Sequence, residues 1–449
     1  MGSRSSGRGW SSGLRGALVV LSAVVVGVAI LAGCGGGGSS SSSTSEATSE
    51  EAGGGETETA KSEAGGETSG TPIKLLLDAP TENPIFAFPG SEEAAGAAAK
   101  AINAEGGVNG HEIEIVYCNN LADVNKAKEC ARQAVEEDVT AVVGHIDIWS
   151  NESLPILEQG GIPDVGFWSN GLPVDFESDI TFPLHSGTVA GYVALPFAAK
   201  KEGKTKIATA DTNIPSAIAN AKIVEYAAKK AGIEYVGNVE IPESGSTDAS
   251  SFAQELKEMG AEAVANIIST PQQVGLLKAS KSLGYAPLWM NIAQAAGEKE
   301  AKEVEGLYEG ALLSSPFPSV RDTSSELVSQ FNEEMKEQEG IDPIEAGVTT
   351  QQSWDVQMNA WLGVHAVAAV AEGIEGEITS ASLKEAIESA KEVALPGGFE
   401  WHPGEEGPPD YPNVTNWDQY LLQFKGGKLE TLPGEPIDTE SALPPLASE

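Results

Sequence analysis

Basic residues are scarce in this 449-residue chain: Lys and Arg total 27 against 66 Asp and Glu, a formal charge of −39 at pH 7. Three of the arginines, Arg4, Arg8 and Arg15, lie in the first 33 residues, where no acidic residue occurs, so the rest of the chain is more acidic still. Without a basic surplus to neutralise phosphates, nucleic acid is excluded as a partner class. General adsorption to an anionic membrane surface is excluded on the same ground. Histidine and cysteine are also thin. The five histidines, His111, His145, His185, His365 and His402, show no paired metal-ligand spacing. Two cysteines besides Cys34 cannot build a four-cysteine metal box. There is no His-Glu-x-x-His box and no phosphate-cradling Walker loop. Gly9-Trp10-Ser11-Ser12-Gly13 matches the bare Gly-x-Ser-x-Gly pattern, but no sheet stands beside it to form a nucleophile elbow. Carboxylates are so numerous that no acid–base pair stands out. The sequence reads as a non-enzyme with no catalytic residue, cofactor or metal. Its 41% hydrophobic content supports a packed core rather than wholesale disorder.

Residues 1–33 read as a signal peptide: a basic stretch precedes the nearly uninterrupted apolar run Ala17–Ala32, short for a spanning helix. A retained transmembrane anchor is the alternative. Leu31-Ala32-Gly33-Cys34 resembles the lipobox of bacterial lipoproteins, which implies lipidation of Cys34 and a chain held outside the cytoplasm on the cell membrane. Residues 34–70 are almost all Gly, Ser, Thr, Glu and Ala. Such a segment buries too little apolar surface to repay its ordering entropy, and it reads as a disordered tether. Cys118 follows the strand-like His111–Tyr117, and Cys130 sits on the apolar stripe Ala127, Ala131, Ala134 of a helical segment. Outside the cytoplasm a Cys118–Cys130 disulfide fits this placement; two buried thiols are the alternative.

From Thr71 onward short apolar runs alternate with helical segments. Strands are expected at Ile73–Leu77, His111–Tyr117, Thr140–Val143 and Asp164–Phe167, with helices at Ala94–Ala104, Asp123–Glu137 and Leu154–Gln159. A second series starts after Thr188: helices Tyr192–Lys200 and Ala217–Lys230, strands Lys206–Ala210, Tyr235–Ile241, Ala263–Ile268, Pro287–Met290 and Gly306–Leu312. Later helices are read at Glu326–Glu337, Ser353–Ala371 and Ser382–Lys391, a loop-rich stretch at Pro396–Asn416, and a closing strand–turn–strand at Leu421–Leu432. The rhythm argues for α/β architecture with mainly parallel sheets. A TIM barrel is the weaker alternative, because the long loop-rich stretch does not suit eight repeats.

Ile73–Leu77, the stretch Asn103-Ala104-Glu105-Gly106-Gly107-Val108-Asn109-Gly110, the Asn119–Ala131 region and Ala141-Val142-Val143-Gly144 resemble successive landmarks of the branched-chain amino-acid-binding proteins. These are type I periplasmic-binding proteins that deliver solutes to ABC transporters. The resemblance covers about 71–432 and implies two Rossmann-like α/β lobes joined by three crossover segments near residues 190, 312 and 413. Lobe one is expected to combine 71–190 and 313–413, and lobe two 191–312 and 414–432, with 433–449 as a flexible C-terminal tail. It also implies a monomer that binds a small molecule and docks on a membrane permease. A receptor feeding a signalling protein and, further off, a secreted enzyme are the alternatives.

The resemblance places ligand contacts at strand ends, where open α/β sheets form crevices. Phe88 stands as an aromatic wall or as loop packing. In Gly144–Asn151, Ser150 is retained as a hydroxyl to receive a carboxylate, Trp149 is bulky, and Asp147 either orients a ligand donor or caps the following helix. After the next strand Ser169 matches the family's hydroxyl contact, and Trp168 replaces a small neighbour with a flat face. On lobe two Asp211 and Thr212 occupy another ligand loop. Gln272 stands where branched-chain amino-acid binders place an acid facing the ligand ammonium. It hydrogen-bonds without supplying that charge, which argues for a compact polar organic ligand such as an amino acid, an amide or a small aromatic acid. Trp354 is a secondary candidate, with helix packing as its alternative.

Overall fold

A computed structural model describes residues 70–83, 86–243, 248–295, 297–298, 301, 304, 306–345 and 354–446. The signal-peptide reading, Cys34 and all of the tether except Gly70 lie outside the described residues.

The fold is α/β. The first sheet is parallel, with strand order β2-β1-β3-β4-β5. Its strands are β1 (Ile73–Asp78), β2 (Ile113–Cys118), β3 (Ala141–Val143), β4 (Asp164–Val165) and β5 (Thr181–Phe182). Leu75, Leu76 and Leu77 are all fully buried, as expected for a strand covered on both faces. Between the strands lie α1 (Ser91–Ala104), α2 (Val124–Glu136), α3 (Ser150–Gly160) and the short α4 (Pro173–Glu177). Asp123 caps α2 by accepting from the backbone of Asn125 and Lys126, and the helix buries Ala127, Cys130, Ala131 and Ala134. Cys130 is disulfide-bonded to Cys118 at the end of β2.

The chain then crosses through 183–186 into a second sheet, ordered β14-β13-β10-β9-β8-β6-β7. Its parallel part is β6 (Lys206–Thr212), β7 (Glu234–Ile241), β8 (Ala263–Ile267), β9 (Leu288–Ile292) and β10 (Leu312–Ser315). Helices α5 (Gly187–Lys201), α6 (Pro215–Ala231), α7 (Ser250–Glu258) and α8 (Thr270–Ser282) flank it. Residues 316–325 lead back to helices Glu326–Glu339, Trp354–Ala371 and Ser380–Ser389, the first two of which pack on α1. A hairpin of β11 (Val393–Leu395) and β12 (Phe399–Trp401) follows. Residues 402–417 return to the second sheet, where β13 (Asp418–Lys425) runs antiparallel to β10 and to β14 (Lys428–Thr431). No described helix is long and apolar enough to cross a membrane.

The differences from the sequence reading have physical reasons. Strand β10 starts only at Leu312, because Gly306 and Gly310 adopt left-handed backbone (φ 77° and 78°) and turn the chain before it. The Pro396–Asn416 stretch contains β12, whose buried Trp401 donates its indole N–H to Pro183 O at 2.9 Å. Residues 433–446, expected as a loose tail, are tied down. Strand β15 (Ile437–Asp438) pairs with β13, Thr439 Oγ1 donates to Trp417 O at 2.7 Å, and Tyr411 donates to Pro444 O at 2.7 Å.

Candidate functional site

The carboxyl ends of the first sheet's strands carry a buried charge cluster. His145, fully buried after β3, places Nδ1 2.6 Å from Asp164 Oδ2, while Nε2 lies 3.5 Å from Asp78 Oδ2 and 3.9 Å from Asp147 Oδ2. Burial opposes the imidazolium, but Asp164 and Asp78 outweigh it and hold the His145 pKa up at about 10. Burial raises Asp78 to about 7 against the pull of His145, and Asn120 Nδ2 donates to it at 2.8 Å. Sequence reasoning missed this cluster. Its one signal was that Asp78 and His145 fall at the ends of strands and Asp164 opens one.

Above it sits the loop expected to receive a ligand. Asp147 is spent locally: Oδ1 accepts from Trp149 N at 2.7 Å and Oδ2 from Ser153 Oγ at 2.7 Å, which secures the start of α3. Ser150 and Ser169 are brought together, but by a residue the sequence did not flag. Ser150 Oγ donates to Asp175 Oδ1 at 2.5 Å and Ser169 Oγ to Asp175 Oδ2 at 3.2 Å. That Oδ2 also accepts from the backbone N–H groups of Asn170, Gly171 and Leu172 at 2.9, 3.0 and 3.1 Å. Burial pushes Asp175 up to about 6, with these donors working against the rise.

The aromatic candidates divide. Phe88 and Trp168 pack in one small cluster with Ala79, Ile146 and Val356. The Trp168 ring meets His185 edge to face at 4.4 Å, and its indole N–H donates to Thr188 Oγ1 at 3.3 Å. Trp149 instead turns outward, 40% exposed, with its indole N–H on Ala122 O at 2.9 Å. Trp354 is buried in the main core.

In the second sheet Asp211 is buried at the end of β6, and neither carboxylate oxygen has a hydrogen-bond partner among the described residues. Burial raises its pKa to about 6, which the nearby Asn238 amide partly offsets. Gln272 closes a capping box at the start of α8: Oε1 accepts from Ser269 N, Ser269 Oγ and Thr212 Oγ1 at 3.0, 2.9 and 2.7 Å. Its Nε2 donates to Pro242 O at 3.0 Å. Thr212 and Gln272 are thus joined to each other.

Both sheets contribute to a narrow void of about 10 Å³ lined by Trp168, Thr188, Ile292, Gln294, Asp355 and Gln419, among others. Gln294 Nε2 bridges to Thr188 Oγ1 at 3.2 Å, while Gln294 Oε1 and both amide atoms of Gln419 are buried without partners. Asp355 accepts from Val356 N at 3.0 Å, and burial lifts its pKa to about 7. The amide side chains and Asp355 escaped the sequence reading because they lie on segments far apart in the chain. A larger cavity of about 480 Å³ lies elsewhere, between β12 and the 415–420 segment, and is open and largely polar. Among the described residues no three side chains converge as metal ligands.

A family model described as periplasmic binding protein matches residues 80–418. The chain belongs to the periplasmic binding protein family. A leucine-, isoleucine-, valine-, threonine- and alanine-binding protein of Pseudomonas aeruginosa is 27% identical over 283 residues, 60% of this chain and 73% of that protein. A branched-chain amino acid transporter substrate-binding protein from Streptococcus pneumoniae, in complex with isoleucine, shares the fold with a TM-score of 0.64. It is 18% identical, and the match covers 80% of this chain and 99% of that one. An ABC-transporter solute-binding protein from R. palustris, in complex with 4-hydroxybenzoate, matches at TM-score 0.66 and 18% identity over 83% and 98% of the two chains. Proteins of this periplasmic binding family are binding proteins that work outside the cytoplasm.

Proposed function

We propose that the chain is a lipid-anchored solute receptor of an ABC importer, which closes two lobes over a small polar organic molecule with an apolar or aromatic part. The observation that carries this reading is the void shared by the two sheets, where the Trp168 face stands beside unpaired amide groups and the Asp355 carboxylate. Apolar walls with a few convergent polar groups are the usual composition of a small-molecule site. The lobes are 71–190 with 313–413 and 191–312 with 414–432, and the three crossings between them form the hinge. Trp168 lines the void, and Phe88 packs in the same buried cluster. The P. aeruginosa relative, named for binding leucine and other small amino acids, and the neighbours holding isoleucine and 4-hydroxybenzoate support a ligand of this size.

Mass spectrometry of ligand co-purified with the protein identifies the solute, and small-angle scattering with that solute should show compaction. Unchanged scattering at saturating solute refutes lobe closure. For the anchor, Cys34→Ser should release the protein from the membrane fraction with its fold intact. A membrane-bound Cys34→Ser protein refutes lipidation.

A further inference from the structure

We propose that Asp175 is a built-in substitute for a ligand carboxylate, so that the cleft admits solutes whose polar end is an amide or an amine and turns away free carboxylic acids. The inference rests on the receptor reading above and names its substrate class. Two serine hydroxyls, Ser150 at the first residue of α3 and Ser169 after β4, and the three consecutive backbone N–H groups of Asn170, Gly171 and Leu172 ahead of α4 converge on the Asp175 carboxylate. Hydroxyls and convergent backbone N–H groups are what a bound carboxylate requires. Here the chain supplies the anion itself. Asp175 is fully buried, and its two oxygens take up both hydroxyls that a ligand acid would need.

This cradle lies directly behind the wall of the void. Asn170, whose N–H holds Asp175, accepts from Thr188 Oγ1 at 3.4 Å through its side chain. Thr188 in turn meets Trp168 and Gln294, and all three line the void. A ligand carboxylate there meets a like charge and no counter-ion, because none of the described lining residues is basic. The void offers three acceptors, Asp355, Gln294 Oε1 and Gln419 Oε1, the last two unpaired, against a single unpaired donor, Gln419 Nε2. Gln272 does not reverse the balance, since its amide is committed to Ser269, Thr212 and Pro242. The acceptors suit the N–H groups of an ammonium or an amide.

Calorimetry on the purified full chain with matched pairs, L-leucine against L-leucinamide and 4-hydroxybenzoate against 4-hydroxybenzamide, reads the selection. Each amide is expected to bind at least tenfold tighter than its acid. Asp175→Ala should narrow or invert that ratio, and formate should raise the melting temperature of this variant while chloride at equal ionic strength does not. Wild-type protein should be indifferent to formate. If Asp175→Ala does not fold, Asp175→Ser vacates nearly the same space and carries the same comparison. Acids binding as tightly as amides to the wild type, with compaction and with loss on Ser150→Ala, overturn the proposal and leave the receptor reading standing. A folded variant insensitive to formate also overturns it. Failure of acids and amides alike to bind or compact the wild type, with formate rescue intact, overturns the receptor reading and the selection that rests on it.

Discussion

Reducing the Cys118–Cys130 bridge chiefly removes a chain-entropy effect, because no side-chain heavy atom is lost and the two sulfurs need only move apart to non-bonded contact. The bridge joins the end of β2 to the buried stripe of α2 across a sequence separation of 12. In the loop-closure account, a loop of that length removes enough unfolded-state entropy to stabilise the fold by about 3 kcal/mol. An unfolding entropy near 2 cal/mol/K per residue turns this into a fall of about 4 °C if the described fold melts as one unit, or about 8 °C if the first sheet and its helices melt alone. Differential scanning calorimetry of oxidised and reduced protein separates the two cases, since independent melting gives two transitions of which only one moves. Cys118→Ala/Cys130→Ala should fall further, because Cys130 is fully buried and removing its sulfur leaves a cavity. A drop under 1 °C on complete reduction, verified by thiol counting, refutes the entropic reasoning for this loop.

Between pH 7 and 10 stability should fall. The folded state holds the His145 proton up to about 10 while the unfolded chain releases it near 6.5, so this contribution is full below 6.5 and lost as pH approaches 10. Below that window the buried carboxylates, Asp78 and Asp355 raised to about 7 and Asp175 and Asp211 to about 6, oppose His185, lowered by burial to about 3. Melting temperatures recorded from pH 7 to 10 should show a decline that His145→Asn flattens; an equal decline in the variant refutes the assignment. Gly187→Ala should cost about 2–3 kcal/mol, since a left-handed residue (φ +59°) gains a Cβ 2.3 Å from Ser169 O. Urea unfolding checks this, and a loss below about 0.5 kcal/mol means that the backbone gives way there without strain.

The fold was legible where one physical signal dominated. Strand β1 declared itself through Leu75-Leu76-Leu77, and the spacing of Ala127, Cys130, Ala131 and Ala134 marked the buried face of α2. The boundary of α3 was less plain: it begins at Ser150, four residues before the apolar Leu154, because Asp147 and Trp149 organise the turn ahead of it. Ser150 and Ser169 drew notice as hydroxyls at strand ends, yet their shared partner Asp175 was one acid among 66 Asp and Glu. A hydroxyl pattern does not say whether the ligand or the protein brings the anion. Gln272 carried more information than its chemistry alone, since Ser269-x-x-Gln272 is the spacing of a helix capping box. Two of the tryptophans show the limit of such reading. Trp149 and Trp168 both follow strands in loops, and only tertiary packing turns one outward and lines the void with the other.

The indole of Trp401 reaches Pro183, and Asn413 Nδ2 reaches Thr181 Oγ1 at 2.6 Å and Asp175 O at 3.0 Å. Beside the last passage between the sheets, β12 and Asn413 are therefore tied at three points to the α4–β5 end of the first sheet and the start of the first passage. In the proposed lobe closure, ties beside the crossings would couple bending to twisting and confine the relative motion of the sheets to a narrow arc. A receptor built so has few open shapes to abandon when it closes, and the ordering cost of capture is partly met during folding. Cutting one stitch, as in Asn413→Ala, would loosen the arc and slow productive closure without touching a single group that lines the void.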